Sequence, residues 1–312
     1  MKDIAILLPY KENFTQNYAA AASIWVKDYL INSSLKKNTI VYGNLSEKNK
    51  PLLKNFKNLS FGKTIFSKNV SYTSKFYEEY LKHRFKIIEI HNRPESLVYL
   101  IKKKVKSKLI FVYHNNPQDL RSSFTAKERI FIANNTDQIF FVSKWVKKKF
   151  FENLPYVHKN NCEILYPAIN PLKKFPKKKN KIIFTGKLNS SKGYDVFGKA
   201  IIKILNMHKD WKALAIGNEP REKFHFKHAN FKILDWVNHK KILNHYKDSA
   251  ISVVPSKWQE PFGRTAMESA AAGCATITSK KGGLSETFDN KLFINNVNEN
   301  ELFNMINFLI KN

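Results

Sequence analysis

Cysteine, acidic residues and long apolar runs are all scarce in this sequence, and each shortage excludes a class of protein. The two cysteines, Cys162 and Cys274, stand in separate apolar contexts, so we expect neither a disulfide framework nor a thiolate metal site. No apolar run approaches the roughly 18 residues of a transmembrane helix, and Ile4 to Leu8 is too short for the core of a secretory signal. The sequence therefore predicts a cytoplasmic protein, either soluble or peripheral to a membrane.

The shortage of acidic residues leaves a large positive charge. Asp and Glu number 25 against 54 Lys and Arg, which gives a net charge of +29 at pH 7. Only six of those 54 are arginines, and the chain is also rich in Asn and Ile, a composition that coding bias can produce. Lysine clusters on one side would attract anionic lipid at about 1 kcal/mol per residue. Three clusters stand out: Lys102 to Lys108, Lys147 to Lys149 and Lys173 to Lys181.

These clusters have two interpretations, solvated faces or a surface for an anionic membrane. Sequence-specific binding of nucleic acid is not expected, because no zinc finger, RNA-recognition signature or comparable module is present.

Length and composition indicate a globular chain of two domains. The 312 residues are more than one typical domain needs, and 43% hydrophobic with 13% aromatic residues is enough to build two cores. Continuous apolar runs alternate with longer amphipathic segments throughout, which indicates strands buried on both faces of a parallel sheet. The predicted strands are Ile4 to Pro9, Thr39 to Tyr42, Ile87 to His91, Leu109 to His114, Ile139 to Ser143, Glu163 to Tyr166, Lys181 to Thr185, Lys212 to Ile216, Asn230 to Leu234, Ile251 to Pro255 and Ala275 to Thr278.

The alternation of strand and helix occurs twice, which is the pattern of two doubly wound α/β domains. The segments between the strands are long enough for crossover helices. A lysine-rich stretch punctuated by prolines separates the two series. We predict an N-terminal domain of residues 1–168, a linker of residues 169–180 and a C-terminal domain of residues 181–312.

The strongest functional signal follows the predicted strand Ile251 to Pro255. Two carboxylates, Glu260 and Glu268, flank a Pro-Phe-Gly turn, and a helix that begins near Gly263 would direct its N–H groups and positive dipole to the sheet's carboxyl edge. Such an edge suits phosphate, and paired carboxylates suit sugar or ribose hydroxyls. Alternatively, Glu268 only favours the helix N-terminal region and Glu260 is solvated. The residues alone leave both interpretations open.

The run Pro255 to Cys274 closely resembles the E-x7-E motif of GT4-type retaining glycosyltransferases. The resemblance implies the GT-B fold, in which two Rossmann-like doubly wound domains face each other across a cleft. It also implies that Glu260 contacts the hydroxyls of the donor sugar and that Glu268 contacts the ribose of its nucleotide. Phe262 and Gly263 are expected beside the same donor.

A second segment, Phe184 to Gly193, resembles the family's GRL…KG segment. The resemblance implies that Lys187 and Lys192 are the two cations that meet the donor diphosphate, where departure of the leaving group builds negative charge. The family usually has arginine where this chain has Lys187, so a bidentate fork is replaced by a point charge.

Two glycines resemble further parts of the family's donor site. Gly283 belongs to a Gly-Gly-x-Ser-Glu turn that is similar to the family's GG-x-PE turn, and Gly217 ends the predicted strand Lys212 to Ile216. We expect both beside the donor, although an ordinary turn at the end of a strand explains Gly217 equally well.

The first domain resembles the family mainly in architecture. His114 ends a predicted strand at the carboxyl edge, where the family also has a histidine near the reacting sugar, so His114 is the catalytic candidate there. His91 ends the preceding strand and is a weaker candidate, and Ser143 is expected to cap the following helix. The loop Pro9 to Ala22 has alanines where the family has a glycine pair, which leaves the acceptor site undefined.

These features predict a retaining enzyme that moves a sugar from a nucleotide-diphosphate sugar to a glycan or glycolipid acceptor. By analogy the acceptor belongs to lipopolysaccharide or another envelope glycan at the inner face of a membrane. No cofactor or metal is expected, because no Asp-x-Asp triad supplies carboxylates for Mg²⁺. The alternatives are a GT-B-fold nucleotide-sugar epimerase and a non-enzymatic basic protein that binds polyanions or a membrane surface.

Overall fold

The chain folds as two separate α/β units. A computed structural model describes residues 2–17, 20–45, 50–60, 67–155, 160–170, 172, 174–289 and 291–312. By the density of contacts the chain divides into Met1–Ala168 and Ile169–Asn312. Each unit is built on one parallel sheet, of seven and of six strands. The predicted fold class is confirmed.

The N-terminal domain has a doubly wound sheet with the strand order β3-β2-β1-β4-β5-β6-β7. Its first strand lies inside the sheet and pairs in parallel with a strand on either side. The chain reverses its winding direction between β1 and β4, which is where open α/β sheets bind ligands. The strands are β1 (Ile4–Leu7), β2 (Thr39–Gly43), β3 (Phe56–Asn58), β4 (Ile87–His91), β5 (Lys108–Tyr113), β6 (Gln138–Phe141) and β7 (Cys162–Ile164).

Five α-helices accompany this sheet among the described residues. The last of them begins as the sequence predicts, because Ser143 Oγ accepts a hydrogen bond of 3.0 Å from the N–H of Val146. The helices are α1 (Ala21–Asn32), α2 (Lys68–His83), α3 (Pro94–Lys102), α4 (Ala126–Asn134) and α5 (Lys144–Phe151).

The C-terminal domain repeats this architecture, with the strand order β10-β9-β8-β11-β12-β13. The face of β8 is covered by Phe197 and Ile201 of α6, which α9 contacts in turn. The strands are β8 (Lys179–Thr185), β9 (Lys212–Ile216), β10 (Phe231–Leu234), β11 (Ser249–Val254), β12 (Ala275–Ser279) and β13 (Phe293–Ile294). The helices are α6 (Tyr194–Met207), α7 (His239–Asp248), α8 (Arg264–Ala271) and α9 (Glu299–Lys311).

Several elements end at different residues from those predicted. β5 ends at Tyr113 and not at His114, because the N–H of His114 donates to the Asn92 side chain at 3.2 Å and not to a neighbouring strand. β11 ends at Val254, since the next residue, Pro255, has no N–H to donate. β8 begins at Lys179, inside the predicted linker, because Lys179 already pairs with β11.

Parts of two predicted segments lie outside the described residues. In the N-terminal loop these are residues 18 and 19 of the alanine-rich run, and in the linker they are residues 171 and 173. Of the helices that the structure does describe, none is long and apolar enough to cross a membrane.

Candidate active site

Backbone hydrogen bonds join three loops at the carboxyl edge of the second sheet. These loops follow the neighbouring strands β8, β11 and β12. The carbonyl oxygen of Ser191, after β8, accepts 2.9 Å bonds from the N–H groups of Lys257 and Trp258, after β11. The N–H of Gly283, after β12, donates to the carbonyl oxygen of Glu260 at 2.6 Å. The three segments that the sequence singled out therefore meet at one edge of the sheet.

Glu260 and Lys192 form an ion pair at this edge. The Glu260 residue is 8% exposed, and its Oε1 accepts a hydrogen bond of 2.6 Å from Lys192 Nζ. The same ammonium lies 4.6 Å from the centroid of the Trp258 ring, within the range of a cation–π contact. Separate roles were predicted for the carboxylate and the cation, and the structure places the two groups in direct contact.

Glu268 is the more deeply buried of the two carboxylates, at 4% exposure. Its Oε1 accepts a bond of 2.6 Å from Arg264 Nε, one helical turn earlier in α8, and lies 2.8 Å from His239 Nε2 at the start of α7. A buried carboxylate is costly unless charged donors compensate it. Arg264 and His239 provide that compensation and fix the direction in which the Glu268 carboxylate points.

Different local contacts explain why glycine occupies each of these positions in the predicted site. Gly263 precedes α8 with φ +111°, and a Cβ atom there would lie 2.3 Å from Leu284 Cδ1. Gly217 follows β9 with φ +151°, and a Cβ atom there would lie 1.7 Å from the carbonyl oxygen of Gly186. Phe262 and Gly283 are both buried against this edge. Close backbone approach therefore accounts for Gly217 without any ligand.

Lys187 is exposed, and the described residues offer it no hydrogen bond or ion pair. A cavity of about 320 Å³ opens beside its loop, at the ends of β8, β9 and β10, and Gly217, Glu219 and Asp235 are among its lining residues. A hydrogen-bonded Arg221 lowers the pKa of the Glu219 carboxyl to about 2. This acidic cavity was not predicted from the sequence.

In the N-terminal domain, His114 belongs to a chain of polar side chains. Its Nε2 lies 2.8 Å from Nδ1 of His91, and His91 Nε2 lies 2.6 Å from Glu89 Oε1. The hydroxyl of Tyr29 donates to the same carboxylate oxygen at 2.9 Å. The Trp25 ring is 5.4 Å from each imidazole and meets both edge-on. The two histidine candidates are therefore one hydrogen-bonded pair.

A second cavity, of about 230 Å³, lies at the reversal point of the first sheet, beside the residues that follow β1 and β4. Its lining includes three cationic residues, Lys11, Arg93 and Arg121, with Asn69 and Glu95. Asn69 Nδ2 donates to Glu95 Oε2 at 2.8 Å, whereas the buried Asn69 Oδ1 has no hydrogen-bond partner among the described residues. The amide oxygen of Asn69, beside these cations, could accept a hydrogen bond from a hydroxyl group of a ligand.

Glu12 lies in the loop that follows β1. Its Oε2 is buried without a hydrogen-bond partner among the described residues. Burial raises the pKa of the Glu12 carboxyl, an effect that the charges of Arg93 and His91 partly oppose.

Sequence reasoning missed the residues that hold the predicted ones in place. Arg264 stands four residues before Glu268, the spacing at which helical ion pairs form, so this partner could have been predicted. His239 and Trp258 come from other segments of the chain, and only the folded sheet brings them near Glu268 and Lys192. Glu89 lies within an apolar strand, so the sequence pattern did not single it out.

The sequence profile of the family described as glycosyl transferases group 1 matches residues 167–312. Spore coat protein SA of Bacillus subtilis is 24% identical over 243 residues, which are 68% of this chain and 64% of that protein. The putative glycosyltransferase YtcC of the same organism is 24% identical over 69% of this chain and 60% of its own length. The chain thus spans less than two thirds of these two relatives.

Two solved structures share the whole fold at low identity. One is HepE of Anabaena in complex with UDP and glucose, with a TM-score of 0.77, 14% identity and coverage of 100% of this chain and 90% of that one. The other is sucrose-phosphate synthase from Thermosynechococcus elongatus, with a TM-score of 0.74, 16% identity and the same coverage.

The fold is the GT-B fold, which this chain shares with both solved structures. Residues 167–312, which include the whole C-terminal domain, are similar to the glycosyl transferases group 1 (GT4) family.

Proposed function

We propose that this chain is a retaining glycosyltransferase that moves a sugar from a nucleotide-diphosphate sugar to an acceptor hydroxyl. The observation that carries the proposal is the pair of buried carboxylates, Glu260 and Glu268, at the carboxyl edge of a group 1 domain. Buried carboxylates accept hydrogen bonds only, and the vicinal hydroxyls of ribose and of a sugar ring supply such donors.

Glu268 is proposed to hold the ribose and Glu260 the donor sugar. Arg264 and His239 already use Glu268 Oε1, so a ribose hydroxyl would approach the other carboxylate oxygen. Glu260 is in contact with Lys192, which suits a position between the sugar hydroxyls and the diphosphate. UDP is the first nucleotide to test, because the similar Anabaena protein was solved with UDP and with UDP-glucose.

Lys187, Lys192 and the N-terminal turn of α8 are proposed to stabilise the charge on the leaving diphosphate. Ammonium groups and helix N–H donors both favour an anion at this place. Among the described residues, no cluster of three or more His, Cys, Asp or Glu could hold a metal ion. We propose that the two lysines neutralise the leaving group without a metal.

The acceptor is proposed to be a glycan or glycolipid of the cell envelope, such as a lipopolysaccharide precursor. Two features of the N-terminal domain support an acceptor with several hydroxyls: the half-buried His114 and the cavity lined by Asn69, Arg93 and Glu95. The exposed lysines of the cluster 102–108 would favour an anionic membrane surface as a further partner.

The test is release of nucleoside diphosphate from UDP-, GDP- and ADP-sugars by the full chain, with and without a panel of glycan and glycolipid acceptors. We expect acceptor-dependent release that persists in EDTA and falls at least about 100-fold in Glu260→Gln. An epimerised donor formed without acceptor would instead identify an epimerase. Loss of turnover in EDTA that Mg²⁺ restores would contradict the metal-free proposal.

The charge alone would permit a non-enzymatic protein that binds polyanions. Such a protein would bind polyanions with a steep salt dependence and would be indifferent to Glu268→Gln. That pair of results would overturn the assignment as an enzyme.

A further inference from the structure

We infer that Trp258 is a positioning residue, whose ring holds the Lys192 ammonium in place at the donor diphosphate. This inference rests on the proposed function, which places Lys192 at that diphosphate. It adds an aromatic side chain that acts on the leaving group only through a lysine.

A lysine is a precise source of charge only when other groups restrain it. Its ammonium ends a flexible four-carbon stem, whose rotamer freedom is lost when the charge is held in one place. A cation that stabilises a leaving group contributes most when it is already in position before the negative charge develops. Lys192 therefore needs a restraint that still lets its N–H groups meet phosphate oxygens.

Two side chains restrain the Lys192 ammonium, and they do so in different ways. Glu260 Oε1 accepts a hydrogen bond of 2.6 Å and so occupies one of the three N–H groups. The centroid of the Trp258 ring lies 4.6 Å from Nζ, and the face of an indole ring attracts the positive charge as a whole through its quadrupole. The ring can therefore keep the ammonium in place while Glu260 also accepts hydrogen bonds from the donor sugar.

The burial of these groups favours a contact that matters. The Lys192 side chain is 26% exposed and that of Glu260 is 10% exposed, and a cation–π contact strengthens as water is excluded from the charge. Trp258 is itself 41% exposed. Filling the hydrophobic core therefore does not account for so large a ring at this position, whereas contact with the ammonium does.

The main chain fixes the ring and the ammonium relative to each other. The carbonyl oxygen of Ser191, the residue before Lys192, accepts a 2.9 Å bond from the N–H of Trp258. On the other side of the lysine, Gly193 at φ +73° lies so close to Pro255 that a Cβ atom there would be 2.0 Å from the Pro255 carbonyl oxygen. The loop after β8 is thus packed against the loop after β11 on both sides of Lys192.

The direct test is a double-mutant cycle on the binding of a nucleoside diphosphate, measured by calorimetry on the full chain. UDP, GDP and ADP are first titrated into wild type, and the one that binds most tightly is the probe. We expect Trp258→Leu to weaken binding of the probe about 3- to 10-fold when Lys192 is present, and less than about 2-fold in the Lys192→Met background. A loss of equal size in both backgrounds would overturn the inference, because the ring would then act by a route other than the ammonium.

A conservative variant separates positioning from structural support. Trp258→Phe retains a ring face and should recover part of the affinity that Trp258→Leu loses, whereas equal losses in these two variants would contradict the inference. Phe308→Leu, which removes an exposed ring from α9, is the matched control and should bind the probe as wild type does. A wild type that binds none of the three nucleoside diphosphates would overturn the proposed function and the inference with it, whereas equal losses in the cycle overturn the inference alone.

Discussion

At the scale of single residues, the charged side chains that the second domain buries are each paired with hydrogen-bond donors or with an opposite charge. Glu268 is almost fully buried and is hydrogen-bonded to Arg264 and His239. Removing a partner of this carboxylate should destabilise the fold, whereas removing the carboxylate itself should alter binding. Mutants of the two kinds should therefore behave differently.

The first prediction concerns Arg264→Gln. The change leaves the Glu268 carboxylate buried with a weaker donor, so we expect a loss of about 3–5 kcal/mol in the free energy of unfolding, measured by urea denaturation. Lys203→Gln is the matched control, because it removes a cation from the exposed ion pair with Glu299 and should cost at most about 1 kcal/mol. Equal losses in the two variants would show that Glu268 does not depend on Arg264.

The second prediction concerns Glu12, whose carboxyl pKa is raised by burial. A raised pKa means that the folded state binds the proton more tightly than the unfolded state, so this group stabilises the fold in acid and loses that contribution as pH rises through its folded pKa. Glu12→Gln should therefore raise the melting midpoint at pH 8, by roughly 2–4 °C for each 1 kcal/mol gained.

The gain in Glu12→Gln should disappear near pH 4, where the unfolded carboxyl is also protonated. Glu78→Gln serves as the control, since Glu78 is exposed and pairs only with the exposed Lys75 in the part of the chain described. A midpoint that rises at pH 4 and not at pH 8 would have the wrong sign for this account.

At the scale of elements, most of the sheet could be predicted, because strands buried on both faces are continuous apolar runs. β4 and β9 begin and end at the predicted residues. Two edge strands, β3 and β13, were missed since they have only three and two residues. The exact ends of β5 and β11 depend on an asparagine side chain and on a proline, which periodicity does not report.

The third prediction distinguishes two glycines at the ends of neighbouring strands. Gly186 and Gly217 have similar φ values, +147° and +151°, but a Cβ atom at Gly186 meets nothing within 4 Å whereas one at Gly217 would strike the carbonyl oxygen of Gly186. Both alanine variants carry backbone strain, so the difference between them measures the collision. We expect Gly217→Ala to be less stable than Gly186→Ala by about 1–3 kcal/mol in denaturant titrations. Equal stability would mean that the two loops are not in contact.

At the scale of the whole molecule, the motif and the fold class could be predicted from the sequence, but the pairing of charges within the site could not. The spacing of Glu260 and Glu268 is a property of one segment and can be seen in the sequence. The ion pair of Lys192 with Glu260 and the contact of His239 with Glu268 join segments that are 68 and 29 residues apart. Such contacts depend on the order of strands in the sheet, which a pattern along one chain does not give.

The central claim is that the second domain binds a nucleotide-diphosphate sugar through Glu268. The most direct measurement is calorimetric titration of the full chain with UDP-, GDP- and ADP-sugars, in wild type, Glu268→Gln and the control Glu299→Gln. The account predicts that one donor binds and that Glu268→Gln weakens its binding about 10- to 100-fold, the effect of losing a hydrogen bond to a charged group, while Glu299→Gln binds as wild type does. Equal affinity in all three proteins, or no binding of any nucleotide sugar, would contradict it.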